Sequence, residues 1–411
     1  MQNNNSKEPL RKFSAPGRTE LAGNHTDHNH GKVLAASINL EVKAEVQKTN
    51  DNTVFFRSAG FTDVTVKLTD SNGAPDLLPK PEETGKTEAL IRGIAAEMQK
   101  RGCPVGGFTA NAVNKVFAGS GLSSSAALEV LIAFIFDSLY GEGKTSSANF
   151  SALELAQIGQ IAENVYFGKP CGLMDQIACA AGGAVAIDFA DEKNPIVTKI
   201  NFDPSSAGYT LCVVNTGGSH ADLTADYASI PNEMKAVASF FGKSVLGELD
   251  KETLLSRAAE IRKAHGDRAI LRALHFFDEN ARVDAMADAL QKMDSADLSA
   301  AKKTAFEIYL DLVNESGDSS WKLLQNVYSP GSPANQGITT ALSLTKEFLR
   351  KQKPGIHQGA CRVHGGGFAG TIQVYIPTET LEKYRACMEA IFGANCVTPL
   401  QIRSHGAIEL V

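Results

Sequence analysis

Apolar residues recur with helical spacing in two segments of the N-terminal half. In residues 87–101 they predict an amphipathic helix with one apolar face. That face consists of Leu90, Ile91, Ile94, Ala95 and Met98. In the second segment the apolar positions have few polar interruptions, so the pattern predicts a buried helix rather than a surface one. The positions that carry the second pattern are Leu128, Leu131, Ile132, Ile135 and Leu139.

Alternating positions and short apolar runs predict strands. The segment 33–48 alternates clearly, because Val42, Ala44 and Val46 stand between charged neighbours. Further strands are predicted at 53–58, 108–113, 184–189, 196–202, 211–215 and 372–376. The composition changes after about residue 210, where Ala, Glu, Lys and Leu become more frequent. This change predicts mainly helices over 222–315, and the spacing predicts another helix over 334–352.

Two acidic residues occupy unusual places in predicted helices. Ser151 and Glu154 form a capping box that opens a helix reaching about residue 167. Glu163 lies near the end of that helix, where a negative charge is unfavourable with respect to the dipole. Such an acid suggests a partner, for example a cation, and the alternative is an exposed surface glutamate. Asp175 is predicted in the first turn of the next short helix, where the dipole favours a carboxylate, and it could serve only that purpose.

Length and composition limit the class of protein. The 411 residues suffice for two or three domains, and 43% hydrophobic with 21% charged residues is a globular balance. The net charge of −6 argues against a general nucleic-acid binder, and no apolar run predicts a membrane span. No apolar region of a signal peptide is present at the N-terminus. The seven cysteines include no Cys-x-x-Cys, so we expect reduced thiols and a cytoplasmic protein.

A loop of small residues precedes the predicted buried helix. Gly119 and Gly121 can adopt positive φ and let a ligand approach the backbone, and the serines at 123–125 are good caps for the helix start. Free N–H groups at a helix start favour an anion, usually phosphate. The loop is not a Walker A loop, because no Gly-Lys-Ser/Thr follows, and it lacks the third glycine of a dinucleotide fingerprint. The alternative is a serine-rich cap on a core helix.

A second polar segment spans residues 14–34 and contains two glycine-bounded turns. Among its polar residues, the candidates for chemistry are Arg18, Asn24, His25, Asp27, His28 and His30. So many polar groups in a short segment rarely serve only packing. Histidine and carboxylate at this spacing can ligate zinc, although the sequence has no second cluster of His or Cys to support a metal site. Solvated loop histidines are a further alternative.

Taken together, these segments resemble the galactokinases, a branch of the GHMP small-molecule kinases. Three family motifs occur in the family's order: Pro16-Gly-Arg-x-x-Leu-x-Gly-x-His-x-Asp, Gly121-Leu-Ser-Ser-Ser-Ala and Gly365-Gly-Gly-Phe-Ala-Gly. Further matches are Pro170-Cys-Gly-Leu-Met-Asp-Gln and Arg272-Ala-Leu-His-Phe-Phe-Asp-Glu-Asn-Ala-Arg-Val. The resemblance runs from about residue 13 to the C-terminus. Ordered motifs over that span are far more specific than any one alone, and they favour functional roles for the loop and for Asp175.

The resemblance implies a fold. We expect the α+β class and a two-domain GHMP kinase architecture, with the active site between the domains. The N-terminal domain, residues 1–207, is expected to be ribosomal-protein-S5-domain-2-like. The C-terminal domain, residues 208–411, is expected to be ferredoxin-like.

The resemblance also implies roles for individual residues. Arg18 and Asp175 match the catalytic pair at the attacking sugar hydroxyl. Ser125 and Glu163 match the ligands of Mg²⁺, which would explain the unusual position of Glu163. The positions that match sugar contacts are Asn24, His25, Asp27, Gly172 and Tyr227. The positions that match the ATP phosphate loop are Gly119, Ser120, Gly121, Leu122, Ser123, Ser124, Ser125 and Ala126.

The implied function is ATP-dependent phosphorylation of galactose at its anomeric C1 hydroxyl, with Mg²⁺ as cofactor. ATP and a monosaccharide are the expected partners, without nucleic acid or membrane, and the chain is expected to be a monomer. The chain departs from the family at Asn24, where the family has Glu, and at His28, where it has Tyr. The family also has a basic cluster after the position of Tyr227, where this chain has Ala-Ser-Ile-Pro-Asn-Glu. An Asn amide still accepts a hydrogen bond but carries no charge, so Asn24→Glu is expected to lower the KM for galactose.

Two other functions stay open at this point. A kinase for a related hexose is an alternative because of Asn24 and His28. A sugar sensor that keeps the fold and lacks catalysis is another, and the presence of Arg18, Asp175 and the complete serine loop argues against it.

Overall fold

Two β-sheets with helices packed on them form this computed structural model, which describes residues 8–116, 121–141, 150–218, 223–295, 299–351 and 359–410. The strands within these ranges are β1 (Arg11–Ala22), β2 (Lys32–Lys48), β3 (Thr53–Ser58), β4 (Val64–Lys67), β5 (Phe108–Asn114), β6 (Ala184–Asp188), β7 (Ile196–Ile200), β8 (Tyr209–Asn215), β9 (Ala360–Val363), β10 (Thr371–Pro377), β11 (Val397–Leu400) and β12 (Ile408–Leu410). The α-helices are α1 (Thr87–Lys100), α2 (Ser124–Tyr140), α3 (Ala152–Ile161), α4 (Met174–Ala181), α5 (Thr224–Phe240), α6 (Lys251–Ser256), α7 (Ala258–His265), α8 (Asp267–Ser295), α9 (Ser299–Ser319), α10 (Gly337–Arg350) and α11 (Leu381–Phe392).

The first sheet carries one side of the candidate site. As far as the described residues show, it has eight strands in the order β12-β1-β2-β5-β3-β4, with β6 paired to β2 and β7 to β6. Its pairs are antiparallel except β3 with β5, which is parallel. The register of β1 against β2 shifts between Pro16 and Arg18 and again between Glu20 and Ala22. Such irregularities bend a strand and redirect its side chains, and here they lie on both sides of Arg18.

The second sheet lies in the C-terminal half. Its order within the described ranges is β11-β8-β10-β9, and all its pairs are antiparallel. The connection from β8 to β9 contains α5 to α10, which confirms the helices predicted over 222–315 and 334–352. Sheet membership changes between β7 and β8, near the predicted boundary at 207, but β12 returns to the first sheet. The exact division into domains therefore stays a prediction.

Helix α2 is largely buried and fixes the end of the serine loop that leads into it. It packs against α1, α3 and α4 and against strands β1 and β2. Twelve of its residues are buried, including four of its five large aliphatic residues and both of its phenylalanines. Each fully buried side chain of this size contributes roughly 1.5–3 kcal/mol. The buried helix predicted from the apolar pattern is confirmed, as is the predicted α1.

One sequence interpretation was wrong at the level of local structure. Residues 14–34 were interpreted as two turns, whereas their first part belongs to the long strand β1, so Arg18 lies on a strand. Every residue from Phe13 to Ala22 is buried, because β1 lies between β2 and β12 and is covered on both faces. A strand buried on both faces shows no alternation of apolar and polar residues. The pattern that revealed β2 was therefore absent from β1.

Two further expectations concern the environment of the chain. Within the described ranges, no helix combines the length and apolar character that a membrane span requires. All seven cysteines lie in those ranges, and all seven are free thiols.

Candidate active site

Arg18 and Asp175 form an ion pair at the centre of the site. Arg18 reaches from β1, and Asp175 lies in the first turn of α4, as predicted. The Arg18 Nε donates to Asp175 Oδ1 at 2.7 Å and its Nη2 donates to Oδ2 at 2.8 Å. The third nitrogen, Nη1, donates to the carbonyl oxygen of Gly121. Bidentate contacts of this kind hold both side chains in one orientation.

The pair keeps the Asp175 carboxyl ionised. Burial alone would raise its pKa, but the charge and the two hydrogen bonds of Arg18 outweigh burial and lower the pKa below its ordinary value. Ser123 Oγ adds a hydrogen bond to Asp175 Oδ2 at 2.6 Å, which lowers the pKa further. The Asp175 side chain is still 29% exposed, whereas that of Arg18 is 7% exposed. The carboxylate is thus the member of the pair that a substrate can reach.

The serine loop is attached directly to β1. The backbone N–H of Arg18 donates to the carbonyl of Leu122 at 3.0 Å. Gly121 has a φ of 71° and Ser123 a φ of 59°, so the positive φ predicted for Gly121 is confirmed. Leu122 and Ala126 are buried and anchor the loop and the first turn of α2. Gly119 and Ser120 lie outside the described residues.

The predicted serine cap of α2 is wrong in its detail. Ser123 occupies the N-cap position, but its side chain makes no hydrogen bond to the helix backbone. Its hydroxyl is turned toward Asp175 instead. The first N–H groups of α2 therefore lack the cap that a serine could give them, and uncapped groups of this kind attract an anion.

A cavity of about 160 Å³ lies beside the start of α2. Polar groups of Ser124, Ser125 and Glu163 contribute to its wall. Its apolar lining includes Phe56, Phe61, Val64, Leu90, Leu128 and Phe167. A mainly apolar cavity with a few polar groups on one side is typical of a small-molecule site.

The unusual position of Glu163 has a structural explanation. It lies in a π-helical turn, Ala162–Phe167, that follows α3, and it is 3% exposed. Lys169 Nζ donates to its Oε1 at 3.0 Å and Gln176 Nε2 donates to its Oε2 at 3.1 Å. Gln176 also donates to Glu129 Oε2 at 2.9 Å. Burial, together with the nearby charge of Glu163, raises the pKa of Glu129 well above its ordinary value.

The donor set at this point fits Mg²⁺. The Ser125 hydroxyl and the Glu163 carboxylate line one cavity, and both are oxygen donors of the kind that Mg²⁺ prefers. Among the described residues, the buried Glu129 Oε1 next to them has no hydrogen-bond partner. Lys169, which shares Glu163, is 61% exposed and can move away when a cation takes that oxygen.

The zinc alternative for the histidine-rich segment receives no support. Across the part of the chain that the structure describes, no group of three or more His, Cys, Asp or Glu side chains is placed to hold a metal ion. His25 donates from Nε2 to the Gly366 carbonyl at 2.9 Å, and His30 pairs with Glu192 at 3.5 Å. The imidazoles therefore bind separate partners.

Three predicted sugar contacts meet the third sequence motif, the glycine turn of residues 365–370. Asn24 Nδ2 donates to the carbonyl of Gly365 at 2.6 Å and His25 Nε2 to that of Gly366 at 2.9 Å. The Tyr227 hydroxyl donates to the carbonyl of the next glycine, Gly367, at 3.0 Å. The turn thus connects the segment after β1 with α5, and it brings Asn24, His25 and Tyr227 together.

Asp27 and Gly172 lie together on the other side of the same segment. A Cβ placed on Gly172 would overlap the Asp27 Oδ2 atom, so a larger residue there would displace the Asp27 carboxylate. His28 Nε2 is 3.7 Å from Asp27 Oδ1. The structure therefore brings Asp27 and Gly172 together, in agreement with their common match to sugar contacts.

The sequence did not reveal two charged residues that surround Asn24. Glu20 on β1 and Arg362 on β9 form a buried ion pair at 2.6 Å, with side chains 4% and 0% exposed. Asn24 Nδ2 also donates to Glu20 Oε1 at 3.1 Å, and Asn24 Oδ1 accepts from Asn326 Nδ2 at 2.7 Å. Every polar atom of the Asn24 side chain is thus bonded to the protein. No local signal pointed to this pair, because its members are 342 positions apart.

The state of His25 gives a pH-dependent prediction. Burial lowers its pKa to about 4 from the ordinary value of 6.5. Below pH 6.5 the unfolded chain takes up a proton that the folded chain refuses, so the stability contributed by the neutral ring is complete above pH 6.5 and lost as the pH falls to about 4. We expect a loss of roughly 1–3 kcal/mol over this range. His25→Gln, which retains a donor and does not titrate, should flatten the profile.

The check is the free energy of unfolding by urea at several pH values between 4 and 7. His265→Gln, a change at an exposed histidine at the end of α7, is the matched control and should leave the profile as in the wild type. Equal slopes for His25→Gln and the wild type would show that His25 is not the group responsible.

Comparisons with known proteins identify relatives of this chain. A family model described as the GHMP kinases N terminal domain matches residues 89–183, and one described as the galactokinase galactose-binding signature matches residues 2–48. Among curated proteins, the chain is similar to the galactokinase of Glaesserella parasuis serovar 5 (strain SH0165), with 30% identity over 377 residues. It is similar also to the galactokinase of Actinobacillus pleuropneumoniae serotype 3 (strain JL03), with 29% identity over 377 residues. Both alignments cover 90% of this chain and 86% of the relative.

Solved structures support the fold. The crystal structure of Lactococcus lactis galactokinase complexed with galactose superposes with a TM-score of 0.78 at 22% identity, covering 98% of this chain and 96% of that one. Methanococcus jannaschii mevalonate kinase follows with a TM-score of 0.63 at 13% identity, covering 97% and 99%. At these identities the likeness concerns the fold alone. It confirms the predicted α+β, two-domain GHMP kinase architecture.

Proposed function

The chain belongs to the galactokinase family of GHMP kinases, and from this premise we propose how its site works. The protein is an enzyme, an ATP-dependent sugar kinase that phosphorylates galactose at its anomeric C1 hydroxyl. The observation that carries this function is the bidentate contact between Arg18 and Asp175, beside the serine loop and its cavity. That arrangement provides an ionised acceptor next to an anion site, which phosphoryl transfer to a hydroxyl requires.

Arg18 and Asp175 act on the attacking hydroxyl. The sugar oxygen forms the new bond to the γ-phosphorus while the bond from that phosphorus to the bridging oxygen of ADP breaks, and the hydroxyl proton passes to a non-bridging oxygen of the transferred phosphoryl group. Asp175 accepts the hydrogen bond of the hydroxyl and thereby orients its lone pair in line. The lowered pKa of Asp175 keeps its carboxylate ionised at neutral pH. This favours a role in orienting the sugar hydroxyl over a role in accepting the hydroxyl proton. Arg18 fixes the carboxylate and places positive charge near the transferred group.

The serine loop and its cavity would hold the nucleotide. The loop and the start of α2 offer backbone N–H groups to the phosphates, from Gly121 through Ala126. The apolar wall of the cavity suits the flat face of a nucleotide base. Ser125 and Glu163 would hold Mg²⁺ by their side-chain oxygens. Mg²⁺, when bound, neutralises negative charge on the phosphate oxygens.

The sugar would lie between Asp175 and the segment that follows β1. Asp27 beside Gly172 offers a carboxylate for sugar hydroxyls, and His25 and Tyr227 frame the glycine turn behind it. Asn24 contributes differently from the family glutamate, because its amide is bonded to Glu20, Gly365 and Asn326. We assign Asn24 to the support of the site. A monomeric state and a cytoplasmic location stay predictions.

Gly172→Ala tests the sugar side of the site. The added methyl group would overlap Asp27 Oδ2 and displace that carboxylate, so we expect the KM for galactose to rise about tenfold or more with the KM for ATP little changed. Gly331→Ala is the matched control, because its Cβ would meet only Ser329 Oγ at an ordinary 3.5 Å. Steady-state kinetics with each substrate varied in turn give the answer. A KM for galactose equal to the wild-type value would remove Asp27 and Gly172 from the sugar site.

A kinase for a related hexose is the second candidate, favoured by the engagement of Asn24 in contacts within the protein. A coupled ADP-release assay over a panel of free sugars separates the two. The highest kcat/KM for galactose supports the proposal. A much higher value for another hexose would replace galactose as the substrate. The absence of ADP release with every sugar of the panel would leave a catalytically silent sensor as the better description.

A further inference from the structure

We propose that one face of α8 is a positioning surface for the sugar and acts through the backbone of loop 23–32, which consists of the connection between β1 and β2 and the first residue of β2. The side chains that form this surface are His275, Glu279 and Asn280. They belong to the fifth matched sequence segment, to which the proposed mechanism gives no role. The inference rests on the proposed function in one respect, that loop 23–32 contacts the sugar.

His275 holds the first part of the loop. Its Nε2 lies 2.9 Å from the backbone carbonyl of Asn24, and its Nδ1 lies 2.8 Å from Ser319 Oγ. A carbonyl can only accept, so Nε2 carries the proton, and the Ser319 hydroxyl donates to Nδ1. The ring is completely buried and neutral, because burial lowers the pKa of His275. It is therefore fixed at both nitrogens and presents one donor to the loop.

Glu279 holds the turn where the loop begins. Its Oε1 accepts from the backbone N–H of Gly23 at 3.1 Å and from Ser316 Oγ at 2.6 Å. Its Oε2 accepts from Arg282 Nη1 at 2.5 Å. Gly23 has a φ of 91°, a conformation that favours glycine, and a Cβ there would overlap the backbone of Val33. The carboxylate thus fixes a turn that few other residues could adopt.

Asn280 holds the end of the loop. Its Oδ1 accepts from the backbone N–H of Lys32 at 2.7 Å. The preceding Gly31 lies so close to α8 that a Cβ would be 2.7 Å from Asn280 Oδ1 and 2.8 Å from Phe276 Cε2. Lys32 also reaches the helix with its side chain, because Nζ donates to Asp284 at the surface, at 2.7 and 2.9 Å. Side chains of α8 therefore bind backbone groups at both ends of the loop.

These contacts determine how the loop meets a ligand. His25 and Asp27 project from a backbone that is fixed before and after them, so they need little ordering when the sugar binds. Removing one acceptor leaves a backbone N–H unsatisfied and frees that end of the loop. The sugar must then order the loop as it binds, which weakens its binding without affecting the nucleotide.

Asn280 gives the sharpest test, because the chain supplies a matched control at the same lysine. Asn280→Ala removes the acceptor of the Lys32 N–H, Asn280→Asp retains it, and Asp284→Asn weakens only the exposed contact of the Lys32 side chain. We expect the KM for galactose to rise about tenfold in Asn280→Ala, to return to within about threefold of wild type in Asn280→Asp, and to stay within twofold in Asp284→Asn. The KM for ATP should change less than twofold in all three.

Hydrogen exchange at the Lys32 amide supplies a readout without catalysis. We expect its exchange to accelerate at least tenfold in Asn280→Ala and to remain slow in Asp284→Asn. If wild type phosphorylates galactose but Asn280→Ala changes neither its KM nor this exchange rate, the inference fails alone. If wild type ignores galactose, the proposed function fails, and the exchange rates still decide whether α8 holds the loop.

Other outcomes also count against the positioning role. Equal increases in the KM values for galactose and ATP would indicate a general loss of structure. If Asn280→Asp were as impaired as Asn280→Ala, the acceptor for the Lys32 N–H would not be what positions the loop. Should Asn280→Ala fail to fold, Asn280→Ser takes its place, because its shorter side chain remains polar but ends too far from the Lys32 amide.

Discussion

Asp175→Asn is expected to lower kcat by two to four orders of magnitude while ATP still binds. The amide keeps one acceptor oxygen but replaces the other with a donor. In one orientation this donor would face Arg18 Nε, and in the other it would face Arg18 Nη2 and the Ser123 hydroxyl. The charge that orients the sugar hydroxyl is lost, and the bidentate contact with Arg18 is broken. The measurements are kcat at saturating substrates and the Kd for ATP by calorimetry.

Asp267→Asn is the matched control for this variant. Asp267 also lies in the first turn of a helix and pairs with an arginine, Arg262, but both side chains are exposed at the surface. Its substitution should leave kcat within twofold of wild type. An Asp175→Asn enzyme that turns over at a tenth of the wild-type rate or faster would refute the catalytic assignment of Asp175.

Asn24→Glu is expected to destabilise the fold by about 3–5 kcal/mol, the usual effect of an unpaired buried charge. The sequence alone suggested instead that this change restores a family residue and lowers the KM for galactose. The structure alters the expectation, because Asn24 is 1% exposed and its Nδ2 donates to Glu20 at 3.1 Å. A glutamate at 24 would bring two carboxylates together beside the Gly365 carbonyl, which would also lose its donor.

The double variant Glu20→Gln, Asn24→Glu isolates this repulsion. It keeps one negative charge beside Arg362 and gives the new carboxylate an amide donor, so we expect it to recover at least half of the lost stability. The stabilities of the two single variants, the double variant and the wild type form a double-mutant cycle, measured by urea unfolding at neutral pH. If Asn24→Glu alone is as stable as wild type and has a lower KM for galactose, residue 24 faces the sugar and the sequence-based expectation was right.

Local patterns in the sequence predicted the elements that have one buried face or a clear signal at an end. The apolar face of α1, the capping box of α3 and the alternation in β2 appear in the structure within a few residues of their predicted bounds. The Ser151 cap accepts from the Glu154 N–H, as a capping box requires. These features depend on residues a few positions apart, which is why the sequence reveals them.

Features that depend on distant residues could not be predicted in this way. The ordered motifs identified Arg18 and Asp175, but not that the two are joined across 157 positions by two parallel hydrogen bonds. No residue near Glu20 in the sequence indicates its contact with Arg362, and none near Asn24 indicates its contact with Asn326. The departure at Asn24 was visible, yet its meaning depended on neighbours from β1, β9 and the glycine turn. Whether the residue at such a position contacts the substrate or supports the site can therefore be decided only from the tertiary structure.

The pairing of β12 with β1 has a consequence for synthesis of the protein. Arg11 and Glu409, which join these strands, are 398 positions apart. A nascent chain that has emerged only as far as β7 already contains Arg18 and Asp175, but one side of β1 from Lys12 to Ser14 has no neighbouring strand. An unpaired edge of this kind can pair with other chains and aggregate. Between the emergence of β7 and that of β12, this edge of β1 is thus open to pairing with other chains.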